Sequence, residues 1–204
     1  MNLMDFMQGH LSEGMIDQLS QQIGGADKQK TEAAASGIMT TLMGALAKNA
    51  STPDGANALS NALDRDHDGS VLDNLMDIMQ GNQQPQNSKA VNGAGILNHV
   101  LGNKQNSAVN MISKMSGLDN NKTGSLMTML APVIMASLGK AKRTNGLDAA
   151  GIASLLSGTV SQQKQSNPTM SLVTQFLDSD GDGSIVDDVA NIGMKFLGGL
   201  FKKR

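Results

Sequence analysis

The chain of 204 residues has no cysteine, no tryptophan and no tyrosine. Without cysteine there is no disulfide, no thiolate nucleophile and no sulfur ligand for a metal, and the absence fits either redox compartment. Aromatic residues make up 2% of the chain, all of them Phe, so the stacking platforms that hold single-stranded nucleic acid are missing. A formal net charge of −2 supplies no basic face for a phosphate backbone either. No run of about 20 apolar residues stands out as a membrane span. The first residues lack the basic-then-apolar order of a secretory signal. We therefore expect a cytoplasmic protein with no nucleic-acid partner and no integral membrane segment.

Catalytic signatures are missing as well. There is no Gly-x-Ser-x-Gly elbow, no His-Glu-x-x-His pair and no Walker loop. His10, His67 and His99 are far apart in sequence and share no motif. Gly93-Ala94-Gly95 has no preceding strand to make it a nucleotide fingerprint and reads as the end of a flexible linker. The expectation is a protein that is not an enzyme.

Methionine, at 15 residues, and glycine, at 23, stand where aromatics would. The apolar spacing is helical: Ile38, Leu42, Ala45 and Leu46 repeat at three- and four-residue intervals, as do Leu130, Ile134, Met135 and Leu138. Strand-like alternation is lacking. Gly24-Gly25, Gly81-Asn82, Gly102-Asn103 and Asn145-Gly146 punctuate the pattern. The predicted fold is all-α, a multi-helix bundle of about ten short helices. Met39 with Met43, and Met111 with Met115, lie one turn apart and read as flexible core filler. The competing reading is a Met-lined groove that opens for a partner helix when calcium binds. Near the C-terminus, Ile192, Phe196, Leu197, Leu200 and Phe201 form an apolar stripe ahead of Lys202, Lys203 and Arg204. Basic residues suit a helix C-terminus, and so short a cluster would anchor only weakly to a membrane surface.

One motif specifies a chemistry, and it occurs twice. Asp64, Asp66, Asp68, Gly69, Ser70 and Asp73 form the first copy; Asp178, Asp180, Asp182, Gly183, Ser184 and Asp187 form the second. Carboxylates at alternate positions, then a glycine that allows a sharp turn, then a residue offering its carbonyl, describe the first half of an EF-hand calcium loop. Val71 and Ile185 follow as inward-facing residues. Position twelve, where a bidentate Glu is required, holds Leu75 and Val189. The nearest substitutes are Asp73 and Asp187, with Asp188 beside the latter. In the first turn of a following helix they would reach back to the ion and suit the dipole. Lacking the bidentate acid, the loops should bind calcium weakly, with Kd roughly 10⁻⁵ to 10⁻³ M, and magnesium is the competing ion. The alternative is that both loops are acidic turns and helix caps without a metal. His67 falls at a position that is not a ligand and reads as a solvated side chain.

Residues 81–95 read as a linker between two halves, 1–80 with its calcium loop at 64–75 and 96–204 with its calcium loop at 178–189. Residues 157–169 read as a polar loop. The halves are approximate repeats: 19–31 parallels 112–124, and the apolar stretch 36–48 parallels 128–140. The duplication suggests a third candidate loop, Asp119, Asn121, Thr123, Gly124 and Ser125. With one acid it reads better as a helix cap made by Thr123 or Ser125.

Three blocks carry a family resemblance: MNLMDFMQGHLSEGMIDQLSQQIGGADKQKTEAAASGIM at the start, MSGLDNNKTGSLMTMLAPVIMASLGK in the middle and LDSDGDGSIVDD near the end. Together they resemble the bacterial domain of unknown function 937 family and its YidB-like relatives. The most specific segment is the Leu-Ala-Pro-Val run at 130–133 with Leu-Gly-Lys at 138–140. The resemblance implies a helical fold and a bacterial source, and it implies no reaction. The functional expectation is a calcium-binding, non-enzymatic binding or scaffold module. A protein partner or self-association is allowed, and the alternative is a self-assembling helical protein whose aspartate loops are caps.

Overall fold

The structure, a computed structural model, describes residues 13–74 and 87–166 together with Ile78, Val173, Phe176 and Leu177. Among the described residues there is no strand, and seven α-helices carry the fold. They are α1 (Glu13–Gln22), α2 (Lys28–Asn49), α3 (Pro53–Asp66), α4 (Gly93–Leu101), α5 (Gln105–Ser116), α6 (Asn120–Asn145) and α7 (Ala149–Ser166). Short 3-10 turns at Ser70–Asn74, Ser88–Val91 and Gly102–Lys104 join them. The all-α expectation is met among the described residues, and the expected count of about ten short helices extends over residues that are not described. At 22 and 26 residues, α2 and α6 are long, because Gly37, Gly44, Gly124 and Gly139 lie inside helices rather than ending them.

Helix starts follow from local chemistry. Asp27 and Asp119 cap α2 and α6, each carboxylate accepting from the amide three residues on, Lys30 N at 3.0 Å and Lys122 N at 2.9 Å. In both turns a threonine hydroxyl, Thr31 or Thr123, donates to the capping residue's carbonyl at 2.8 Å. Thus the 119–125 segment is a cap, but the capping atom belongs to Asp119, while Thr123 is buried and bonds backward. Thr52 caps α3 through Gly55 N, with Pro53 at the first helical position. Asn92 caps α4 through Gly95 N at 2.9 Å. Gly117 and Gly146 end α5 and α6 with φ of 71° and 60°, a conformation costly for any residue with a Cβ.

The α1–α2 and α5–α6 turns are built alike and grip one another. Ser20 Oγ donates to the Ala26 carbonyl in the first, Ser113 Oγ to the Leu118 carbonyl in the second. Lys122 donates to the carbonyl of Gly24, at 3.2 Å, and the Lys30 stem lies 3.6 Å from where a Cβ on Gly117 would be.

Helices α2 and α6 form the centre, α2 packing on α1, α4, α5, α6 and α7, and α6 on α2, α3, α4 and α5. One continuous apolar core draws on both halves: Ile38, Leu42 and Met43 from α2, Leu126, Met127, Leu130 and Leu138 from α6, Ile112 from α5 and Ile152 from α7. Met39 and Met43 are core filler, whereas Met115 is the exposed large apolar side chain among the described residues. By length and composition α6 is long and apolar enough to cross a membrane, against the expectation of no such stretch. Two-thirds (67%) of its apolar window is buried inside the protein, which is what the central helix of a bundle requires.

Two polar segments prove helical. Residues 157–166 continue α7, with Val160 and Thr159 buried. Residues 87–95 form the 3-10 turn Ser88–Val91 and the start of α4, with Ala90 buried; residues 81–86 of the expected linker lie outside the described residues. Gly93 and Gly95 therefore belong to a helix N-terminus. Pro132, inside α6, has no amide to give the Thr128 carbonyl four residues earlier. That same carbonyl receives the backbone of Gly93, where a Cβ would lie 1.8 Å away.

Candidate metal centre

The first aspartate segment sits where α3 ends against α6. Helix α3 does not stop before the motif but runs through Asp64 to Asp66. In an extended loop, alternate residues point the same way; in a helix they lie about 200° apart. Asp64 and Asp66 consequently leave the helix on opposite sides, and each meets a different cation.

Asp64 pairs with Lys142 of α6. Asp66 accepts from its neighbour Arg65 through Nε at 2.8 Å and Nη2 at 2.6 Å, and from Asn87 Nδ2 at 3.4 Å. The Arg65 guanidinium holds the Asp66 carboxyl below the usual range. Asp68 accepts from the Ser70 amide at 3.0 Å and the Ser70 hydroxyl at 2.6 Å, with Arg143 Nη1 3.4 Å away. The Ser70 hydrogen bonds hold its pKa down as well. Acids in the last turn face the negative end of the helix dipole, and the three basic side chains offset that cost. Among the described residues, no group of three or more Asp, Glu or His converges in a way that could hold a metal. Asp73 lies in the 3-10 turn Ser70–Asn74 rather than in an α-helix, and its side chain lies outside the described residues. So does the whole second set, Asp178, Asp180, Asp182, Ser184 and Asp187.

What the structure does explain is the seat of this segment. Gly69 has φ of 92°, the sharp turn that its place in the motif calls for. A Cβ on Gly69 would fall 2.8 Å from Lys140 Cβ. From the other side, a Cβ on Gly139 would fall 1.7 Å from the His67 carbonyl oxygen. The Leu138-Gly139-Lys140 block thus forms a bare patch of helix on which the loop backbone lies, and Val71 tucks in beside it.

His67 is not solvated: it is 6% exposed. The 3-10 turn at 88–91 comes back over it, bringing the Ala90 backbone within hydrogen-bonding reach. Burial pushes its pKa down, and Nδ1 has no hydrogen-bond partner among the described residues. No local signal in the sequence marks this, because the cover comes from more than 20 residues downstream. His99 lines the same cavity as His67, Arg65 and Asp66, a convergence that sequence separation hid. His10 lies outside the described residues.

Just ahead of the second motif, the Leu177 carbonyl accepts from two lysines, Lys48 of α2 at 2.9 Å and Lys104 at 3.0 Å. Lys104 also stands 6.0 Å from the centre of the Phe176 ring, a cation–π distance.

Residues 5–141 match the family described as "Bacterial protein of unknown function (DUF937)". That is well over half of the chain, and the chain belongs to this family. No curated protein and no solved structure matches it.

Proposed function

We propose that the protein is a non-enzymatic helical binding or scaffold module, cytoplasmic, whose stability or partner choice is regulated by calcium at its two aspartate segments, with magnesium as the competing ion. The observation that carries this reading is the first motif itself: Asp64, Asp66 and Asp68 lead into, and Ser70 follows, a glycine at φ of 92°. This acid cluster needs positive charge, and Lys142, Arg65 and Arg143 supply it in the described arrangement. Because Asp64 and Asp66 diverge on the helix, binding requires the last turn of α3 to open so that the acids swing onto one side. Calcium would replace dispersed monovalent pairs, each worth under about 1 kcal/mol when exposed, with one divalent centre.

The second reading is a self-assembling helical protein in which the same acids serve as structural pairs and caps. It is favoured by one observation: each described acid of the first motif already has a basic partner or a hydroxyl.

Calorimetric titration of EDTA-stripped protein with calcium, with magnesium as competitor, separates the two. The calcium reading expects two sites in the range of roughly 10⁻⁵ to 10⁻³ M, one lost in Asp66→Ala and the other in Asp180→Ala, with a small loss of helical circular dichroism as α3 shortens. No heat and no change in melting temperature at millimolar calcium would leave the segments as acidic caps.

A further inference from the structure

Between α3, α4 and the middle of α6 lies a cavity of about 540 Å³, within the ~300–1,000 Å³ typical of small-molecule sites. Its floor is apolar: Leu46, Leu59, Ile96 and Met135, each largely buried in the core. Its walls include the small residues Gly55, Ala58, Ala62 and Gly95, and of these the alanines on α3 are where a larger side chain would enter the space; a Cβ on Gly55 or Gly95 would meet Asn49 or Asn92 instead. The mouth is of opposite character. Two cations, Arg65 and Lys89, stand there with His99 against a single acid, Asp66. Asp66 is already taken by Arg65 and Asn87. Lys89 makes no ion pair among the described residues, although Asp66 feels its charge.

An apolar floor beneath a rim with surplus positive charge selects among ligand classes. A purely apolar molecule would leave the rim unused, and a compact polar anion would leave the floor wet. Burying each methylene of a chain contributes about 0.8 kcal/mol, and a charge-assisted contact at the rim adds direction. We propose that this cavity binds a medium-chain carboxylate, its acyl chain along Leu46, Leu59, Ile96 and Met135 and its carboxylate at Lys89. The proposal does not rest on the calcium reading, although Asp66 belongs to both, and the titration in EDTA keeps the two apart.

The test is calorimetric titration of the full chain in EDTA with octanoate, and with 1-octanol as the uncharged match in length. Octanoate should bind one to one, and octanol about tenfold more weakly, the loss that goes with one charge-assisted contact. Lys89→Glu, on an exposed turn, should weaken octanoate by about tenfold or more and leave octanol unchanged. Ala62→Phe, which grows into the cavity from a half-buried position on α3, should abolish both. Melting curves identify any variant that has lost its fold; if Ala62→Phe is one, Lys89→Glu and the octanol comparison still decide. Octanoate that gives no binding, binds no tighter than octanol, or binds Lys89→Glu as well as the native chain would overturn the proposal.

Discussion

Gly139→Ala places a methyl group where the backbone of the aspartate segment lies. The new Cβ would sit 1.7 Å from the His67 oxygen, 2.8 Å from its carbonyl carbon and 3.4 Å from Asp68 Cα. All three are backbone atoms, so no rotamer change makes room, and the segment must lift from α6 by more than an ångström. Lifting uncovers His67 and part of Val71, which are buried on that seat. Overpacking of this kind destabilises by about 1–3 kcal/mol, and partial exposure of Val71 adds up to about 1 kcal/mol. Against that, Ala is a better helix former than Gly by about 0.8–1.0 kcal/mol. The net expectation is a loss of about 2 kcal/mol, which for a chain of this size lowers Tm by about 4–8 °C. Gly124→Ala in the same helix is the control. Nothing lies within 4 Å of a Cβ there, so only the propensity gain remains and Tm should rise by about 2–4 °C. Thermal and urea unfolding followed by circular dichroism measure both. Gly139→Ala that melts at or above the native chain would mean that the loop is not seated on α6, and the account of the Leu-Gly-Lys block would fail.

The paired caps predict equal losses: Asp27→Ala and Asp119→Ala should each destabilise by about 1 kcal/mol, and a neutral result at either would deny that the two turns are built alike. Acid stability should depend on His67. Burial lowers its folded-state pKa, so as pH falls the unfolded chain binds that proton first. The contribution is fully present above about pH 6.5, the ordinary histidine value, and is lost as pH drops below it. The lowered pKa values of Asp66 and Asp68 act in the same direction but only below about pH 4. Urea midpoints between pH 7 and 5 should therefore decline more for the native chain than for His67→Gln, and equal slopes would contradict the burial.

The helices were legible because their signals are local. Asp27 and Asp119 each precede a lysine at the third position and a threonine at the fourth, and those neighbours make the cap. The apolar spacing of α2 and α6 survives their internal glycines, since tertiary packing outweighs a helix-propensity penalty of about 1 kcal/mol apiece. The misread segments share a different cause. Residues 157–166 look polar in one dimension, yet Val160 and Thr159 fall on the buried side of α7. The first aspartate motif has EF-hand spacing, but that spacing describes a ligand set only if the backbone is a loop. Here Leu59, Ser60 and Leu63 bury the α3 face right up to the acids, and the helix continues through Asp66. His67 and the cavity depend on residues 88–99 returning to α3, a contact between elements that no window along the chain contains.

One arrangement crosses between the two stretches of chain, 1–80 and 96–204, and the linear sequence conceals it. The first aspartate segment, from the first half, lies on α6 at Gly139 and Lys140. Leu177, immediately ahead of the second segment, is held by Lys48 of α2. Each half thus has its acidic segment, or the residue leading into it, attached to the central helix of the other, and the Lys122–Gly24 contact crosses in the same sense. Among the described residues the halves are not separate bodies: their core is continuous. The first segment therefore cannot lift without disturbing the face of α6 that carries Gly139 and Lys140.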